Sequence, residues 1–181
     1  MENTVCTLNN IASDVGLHSE LIANGLIDVI RKFVELYLSS AKEENDFGVD
    51  ETTDGIDLSV MAIGSLQLIK AIASLIMKLS QAPQIQMQCL EMGVLEMTQT
   101  CLDKFHDYEV QTHLHLALGN FVVSGLNEDN GVVQSEAYRQ FCAEIRRRAA
   151  QSGCLQRLIE GSEGSHFFRI RRICSEYLSL L

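Results

Sequence analysis

The sequence predicts an all-α protein built from stacked copies of one helical unit, and three observations predict it. First, a pattern recurs in which two apolar residues, three mixed positions and a Gly precede two more apolar residues. It occurs at Leu21-Ile22-Ala23-Asn24-Gly25-Leu26-Ile27, at Cys89-Leu90-Glu91-Met92-Gly93-Val94-Leu95 and, less regularly, at Ala149-Ala150-Gln151-Ser152-Gly153-Cys154-Leu155. Internal repetition of this kind marks arrays of small helical units. Second, Leu, Ile, Ala, Met and Gln dominate, aromatic residues are 6% and Trp is absent, a palette that favours helices over strands. Third, apolar residues reach 46% and Pro83 is the single proline, so a shared hydrophobic core is affordable in 181 residues.

Each element follows from its apolar spacing. Thr4 to Ser13 places Val5, Leu8, Ile11 and Ala12 on one helical side, and Gly16 interrupts it. Leu17 to Asn24 is a short helix closed by Gly25, a residue suited to a sharp helix–helix turn. Leu26 to about Ser40 is longer, with Ile27, Ile30, Phe33, Val34, Tyr37 and Leu38 facing inward. Ala41 to Asp57 carries seven acids against one Lys and breaks every period, which predicts an acidic loop inserted into the repeat. Helix resumes from Leu58 to Ser80, and Pro83 stands where a first helical turn tolerates it. Ile85 to Met92 is short and closed by Gly93; Val94 to Phe105 and Glu109 to Ser124 follow. A second loop spans 125–134, then come helices at Ser135 to Gln151 and Cys154 to Glu160, a turn at Gly161 to Ser165 and a last helix from about His166 to Leu181.

Charge is distributed unevenly. The net charge is −10, yet residues 42–58 carry −6 and residues 139–172 carry +5, with every arginine but Arg31 in the latter stretch. An acidic body with one basic end disfavours broad nucleic-acid binding and permits a local anionic contact. The run Leu58 to Leu79 has Gln67 and Lys70 near its middle; a central Lys costs roughly 2.5–3.5 kcal/mol in a bilayer, so no membrane span is expected. The six cysteines form no C-x-x-C pair, no Asn-x-Ser/Thr acceptor occurs and no signal peptide opens the chain. A reducing intracellular compartment is therefore expected, the cytoplasm first and the nucleus second.

The short helix, Gly, longer helix and third helix resemble an armadillo repeat. Thr7-Leu8-Asn9-Asn10-Ile11-Ala12-Ser13 and Leu116-Ala117-Leu118-Gly119-Asn120-Phe121-Val122 are similar to the family's third-helix motif, with Lys78 of Ile76-Met77-Lys78-Leu79-Ser80 at the same place in the middle unit. Lys78 and Asn120 are 42 residues apart, within the roughly 40–47 of this class. Gly93 to Asn120 and Gly153 to Leu180 are both 27, and Asn10 to Gly25 and Lys78 to Gly93 are both 15. Insertions at 41–57 and 125–134 account for the intervals that are longer. The resemblance implies one domain over residues 1–181, an armadillo-like α-α superhelix of three complete repeats after a leading helix. Import-type armadillo proteins place Trp one turn before the groove Asn, whereas this chain has Cys6, Ser74 and Leu116 there, so nuclear-signal binding is not expected.

If third helices line a groove, as the resemblance implies, the residues sharing the Asn face are Asn10 and Cys6; Lys78, Ser74, Lys70 and Gln67; Asn120, Leu116, Thr112 and Glu109; and Leu180, Glu176, Arg172 and Arg169. The expected partner-binding set is Asn10, Lys70, Ser74, Lys78, Thr112, Leu116, Asn120, Arg169 and Arg172, with Asn holding a peptide backbone and the cations attracting acidic side chains. The bland alternative is that these cations merely solvate helices.

Other candidates carry less. Asp50-Glu51-Thr52-Thr53-Asp54-Gly55 opens like a calcium loop, but its twelfth position is Met61 where a bidentate Glu is required. His113 and His115, two apart on a helix, point different ways and cannot share a metal; surface or packing roles are expected. Cys89 with Cys101, and Cys142 with Cys154, read as buried packing thiols. Arg146-Arg147-Arg148 circles its helix and reads as solvated, with docking of an acidic protein or phosphate as the other option. No phosphate loop, nucleophile elbow or zinc-protease signature occurs. The expected function is a non-enzymatic protein-interaction module holding a partner segment along the groove, without cofactor, metal or small-molecule substrate. One alternative is a regulator or chaperone of small GTPases, since acidic armadillo proteins of the dissociation-stimulator type resemble this chain in charge and in Asn10-Ile11-Ala12 and Leu118-Gly119-Asn120. Another is a structural segment of a larger scaffold.

Overall fold

In each of the three repeats the glycine takes the left-handed backbone that a side chain resists, with φ of +85° at Gly25, +72° at Gly93 and +85° at Gly153. The hydrogen bonding around it is the same each time. The glycine N–H donates three residues back, to Ile22, Leu90 and Ala150, and its own carbonyl accepts from Val29, Met97 and Arg157 four residues on. Two residues, the second of them the glycine, separate one helix from the next, a capping arrangement that fixes the angle between them.

The computed structural model describes residues 7, 10–43, 57–126 and 135–181. Among these it is all-α, with no strand. After a 3-10 turn at Val15–Leu17 come α1 (His18–Ala23), α2 (Leu26–Glu43), α3 (Asp57–Leu79), α4 (Pro83–Glu91), α5 (Val94–Lys104), α6 (Tyr108–Val122), α7 (Glu136–Gln151), α8 (Cys154–Gly164) and α9 (Phe168–Leu178). Pro83 is the first residue of α4, where its missing N–H costs nothing. Asp107 caps α6 by accepting from the N–H groups of Glu109 and Val110, and Ser135 caps α7 by accepting from Tyr138.

The helices group as α1–α2–α3, α4–α5–α6 and α7–α8–α9, and several equivalent helices of successive groups touch. The third helices form a row in which α6 packs against α3 on one flank and α9 on the other, while α4 meets α7 and α2 meets α5. Central α6 is accordingly well enclosed, burying Val110, Leu114, Ala117, Leu118 and Phe121 completely or nearly so. Two side chains six residues past a repeat glycine make the same link to the next group. Arg31 donates to the Met92 carbonyl, just before Gly93, and Gln99 Nε2 donates over 2.5 Å to the Ser152 carbonyl, just before Gly153. Replacing Gln99 with Leu keeps the volume and removes the donor. It should cost about 1–2 kcal/mol, which chemical denaturation would register.

A second set of links joins the C-terminal ends of the row. Lys78 Nζ donates to Ser13 Oγ at 2.9 Å, Asn120 Nδ2 donates to Ser80 Oγ at 2.9 Å, and the Tyr177 hydroxyl donates to Asn120 Oδ1 at 2.7 Å. The equivalence of positions 78 and 120 read from the spacing thus has a physical counterpart, since each reaches back to the end of the preceding segment.

Several boundaries differ from expectation. Helix α2 continues to Glu43 and α3 begins at Asp57, so the ends of the expected 41–57 loop are helical. Its remainder, with the calcium-like Asp50–Gly55, lies outside the described residues, as do Cys6 and 127–134 of the second loop. Helix α8 runs through Gly161 to Gly164 where a turn was expected. The reason is packing: a Cβ on Gly161 would come within 2.7 Å of Cys174 Sγ and 2.9 Å of His115 Nε2. The glycine there permits close approach of α8 to α6 and α9 and does not stop the helix.

Candidate functional site

The row α3, α6 and α9 carries most of the residues expected to meet a partner. On α3, Lys70, Ser74 and Lys78 are all partly exposed. Lys70 Nζ lies 3.2 Å from Asp107 Oδ2 and 3.3 Å from Glu109 Oε2 at the start of α6. The hydrogen bond with Asp107 leads in raising its pKa above the ordinary value. Its charge is therefore answered within the chain, as is the hydrogen-bonding capacity that Lys78 gives to Ser13. Asn10 is exposed on a helical segment ahead of the first unit.

On α6 the exposed ridge keeps Glu109, Leu116 and Asn120 as expected and differs at one position. Thr112 is only 5% exposed and its hydroxyl donates to the Tyr108 carbonyl at 2.7 Å, so it does not present itself to a partner. Helices on both flanks of α6 cover that side. The accessible line is Glu109, His113, Leu116 and Asn120, and His113 takes the place assigned to Thr112. Asn120, expected to grip a partner backbone, uses both ends of its amide inside the chain, on Ser80 and Tyr177. Its carbonyl also accepts from Gln86 Nε2 at 3.0 Å. The residue serves chiefly as a joint between units.

Helix α9 is the open side. Arg169 and Arg172 are both exposed; Arg172 Nε lies 2.7 Å from Glu176 Oε1, while Arg169 makes no ion pair or hydrogen bond among the described residues. Leu116, Phe168, Arg169, Arg172, Ile173 and Glu176 enclose a recess of about 430 Å³. Phe168 is 71% exposed at its edge, and the Arg171 guanidinium stands 5.9 Å from its ring centroid. An apolar notch with guanidinium groups on its rim can take a hydrophobic side chain flanked by carboxylates.

His113 reports the sign of this region. Desolvation is the largest influence lowering its pKa below 6.5, and Arg169 and Lys78 lower it further against the opposing pull of Glu109. Buried His115 is lowered too, again chiefly by desolvation. Because the folded chain then binds fewer protons than the unfolded one, stability is full above 6.5 and falls as pH drops below it. Urea midpoints should decline between pH 7.5 and pH 5.5, with a shallower decline in His115→Gln.

The buried cysteines fit the packing role expected of them. Burial pushes the thiols of Cys89, Cys101, Cys154 and Cys174 up to about 12, so they stay protonated and poorly nucleophilic at neutral pH. Among the described residues no three His, Cys, Asp or Glu side chains are placed to hold a metal ion. Nor is any described helix long and apolar enough to cross a membrane. Sequence reasoning missed Phe168, Tyr177 and His113 as members of this face. Phe168, beside the arginine cluster, was the legible one. Tyr177 and His113 depended on the rotation of helices about their axes.

Comparison with family models, with curated proteins and with solved structures gives no match.

Proposed function

We propose that the chain is an armadillo-like solenoid acting as a non-enzymatic protein-interaction module, with its α3–α6–α9 row as the groove and an acidic, partly apolar segment of another protein as the occupant. The observation that carries this reading is the α9 end of the row. There Arg169 is unengaged beside the Leu116–Ile173 recess, and exposed Phe168 adds an aromatic wall. Lys78 continues the positive field across α6 to α3, and with Arg169 it helps hold His113 below its ordinary pKa. A protein of net charge −10 that concentrates cations on one face selects acidic ligands by local field, since distant charges are screened beyond roughly 8 Å at physiological salt.

Within this reading Asn120, Ser80 and Tyr177 keep the row rigid, which lowers the entropy lost when a ligand settles. Multivalent contact along the row, with no bond made or broken, is the mechanism. Selection from a randomised peptide library on the purified chain tests it. Peptides combining Asp or Glu with one aliphatic or aromatic residue should be enriched. Enrichment of basic peptides, or of none, would overturn the proposal.

A further inference from the structure

A second cavity, of about 550 Å³, opens between the α5–α6 turn and the α8–α9 turn and shares no lining residue with the recess on α9. Its inner end is formed by Leu102, Gly161 and His115, all buried, with His115 only 6% exposed. The His115 Nδ1 atom stands 2.7 Å from the Gln111 carbonyl. A carbonyl only accepts, so Nδ1 carries the proton. With desolvation keeping the ring neutral at physiological pH, Nε2 is left with a lone pair.

No described group bonds to Nε2. It is open to the cavity because residue 161 is glycine: a Cβ there would sit 2.9 Å away and cover it. The mouth is lined by the exposed imidazoles of His106 and His166 and by Arg157 and Glu160, and the last two are already matched to other groups. Arg157 reaches Asp103 at 2.6 Å and Glu160 at 3.4 Å, and Glu160 also accepts from Gln156 at 3.1 Å. Neither an anion nor a cation finds an unengaged counter-charge in that pair. Phe167, packed on Tyr108 with ring centroids 5.0 Å apart, provides an aromatic wall.

We propose that this cavity binds a small neutral molecule with an apolar, aromatic body and one O–H or N–H donor, the donor being delivered to Nε2 of His115. The volume lies within the usual range for small-molecule sites, in which apolar surface supplies affinity and a few placed polar groups fix orientation; here Leu102 and Phe167 supply apolar side chains and His115 the buried acceptor. A ligand that fills the inner end without a donor would leave Nε2 dry and unpaired, which is the stronger source of discrimination.

The test uses the unaltered chain and two probes of nearly equal shape, 4-methylphenol and its methyl ether. Titration is followed through the ¹⁵N resonances of the histidine rings. The phenol should bind saturably, move the Nε2 resonance of His115 and bind at least about tenfold more tightly than the ether. Equal binding of the two, binding that leaves His115 unmoved, or no saturable binding of the phenol would each overturn the proposal. The last result would mean that solvent alone satisfies Nε2.

Discussion

Gly119→Ala should be among the most damaging single substitutions in this protein, although it adds one methyl group to a helix that would ordinarily welcome it. A Cβ at this position would lie 2.2 Å from two ring carbons of Tyr177 and 2.5 Å from a third. The ring is a rigid plate held by its hydroxyl bond to Asn120, so the obstacle cannot swing aside like the tip of a lysine. Helix α9 would have to retreat from α6 as a body and disturb its contact with α8. Overpacking of this kind costs about 1–3 kcal/mol, and losing the Tyr177–Asn120 bond adds about 1 kcal/mol. A fall in melting temperature of about 6–12 °C is expected for roughly 3 kcal/mol in a chain of this size. Combining Gly119→Ala with Tyr177→Leu should cost less than the two single changes together, because the first clash is relieved by the second change. Additive losses would show that the ring does not rest on residue 119.

Arg169→Glu together with Arg172→Glu should weaken a selected acidic peptide by about 100-fold, since each reversal replaces attraction by like-charge repulsion on the rim of the recess. Both side chains are exposed and only Arg172 has an ion pair, with Glu176, so stability should change by no more than about 0.5 kcal/mol. Locality is tested by a matched control. Arg139→Glu with Arg147→Glu changes the net charge equally on α7, where the two arginines pair with Glu136 and Glu144, and should alter affinity by less than about threefold. Calorimetric titration of the three proteins decides the matter. Equal losses in both double variants would mean that total charge, and not the α9 face, governs binding.

Much of the architecture was legible because it rests on local rules. The repeat glycines announce themselves by type and spacing, and all three adopt the left-handed backbone that such a turn demands. Positions 78 and 120, matched by motif and interval, both bond to the end of the preceding segment. What escaped depends on neighbours distant in sequence. Thr112 and His113 are adjacent, and which of them faces outward is set by how α3 and α9 flank α6, a matter on which helical periodicity is silent. Gly161 looked like a terminator because glycine usually is one after an apolar helix. Only the positions of Cys174 and His115 reveal it as a contact point. Likewise Lys70 read as an available cation until the turn before α6 placed Asp107 and Glu109 against it.

The central claim is that the α3–α6–α9 row is the working face, and backbone NMR of the labelled chain titrated with a selected acidic peptide tests it most directly. The account predicts saturable shifts centred on Lys78, His113, Leu116, Phe168, Arg169 and Arg172. Shifts centred instead on α2, α5 or α7, with that row silent at saturation, would contradict it.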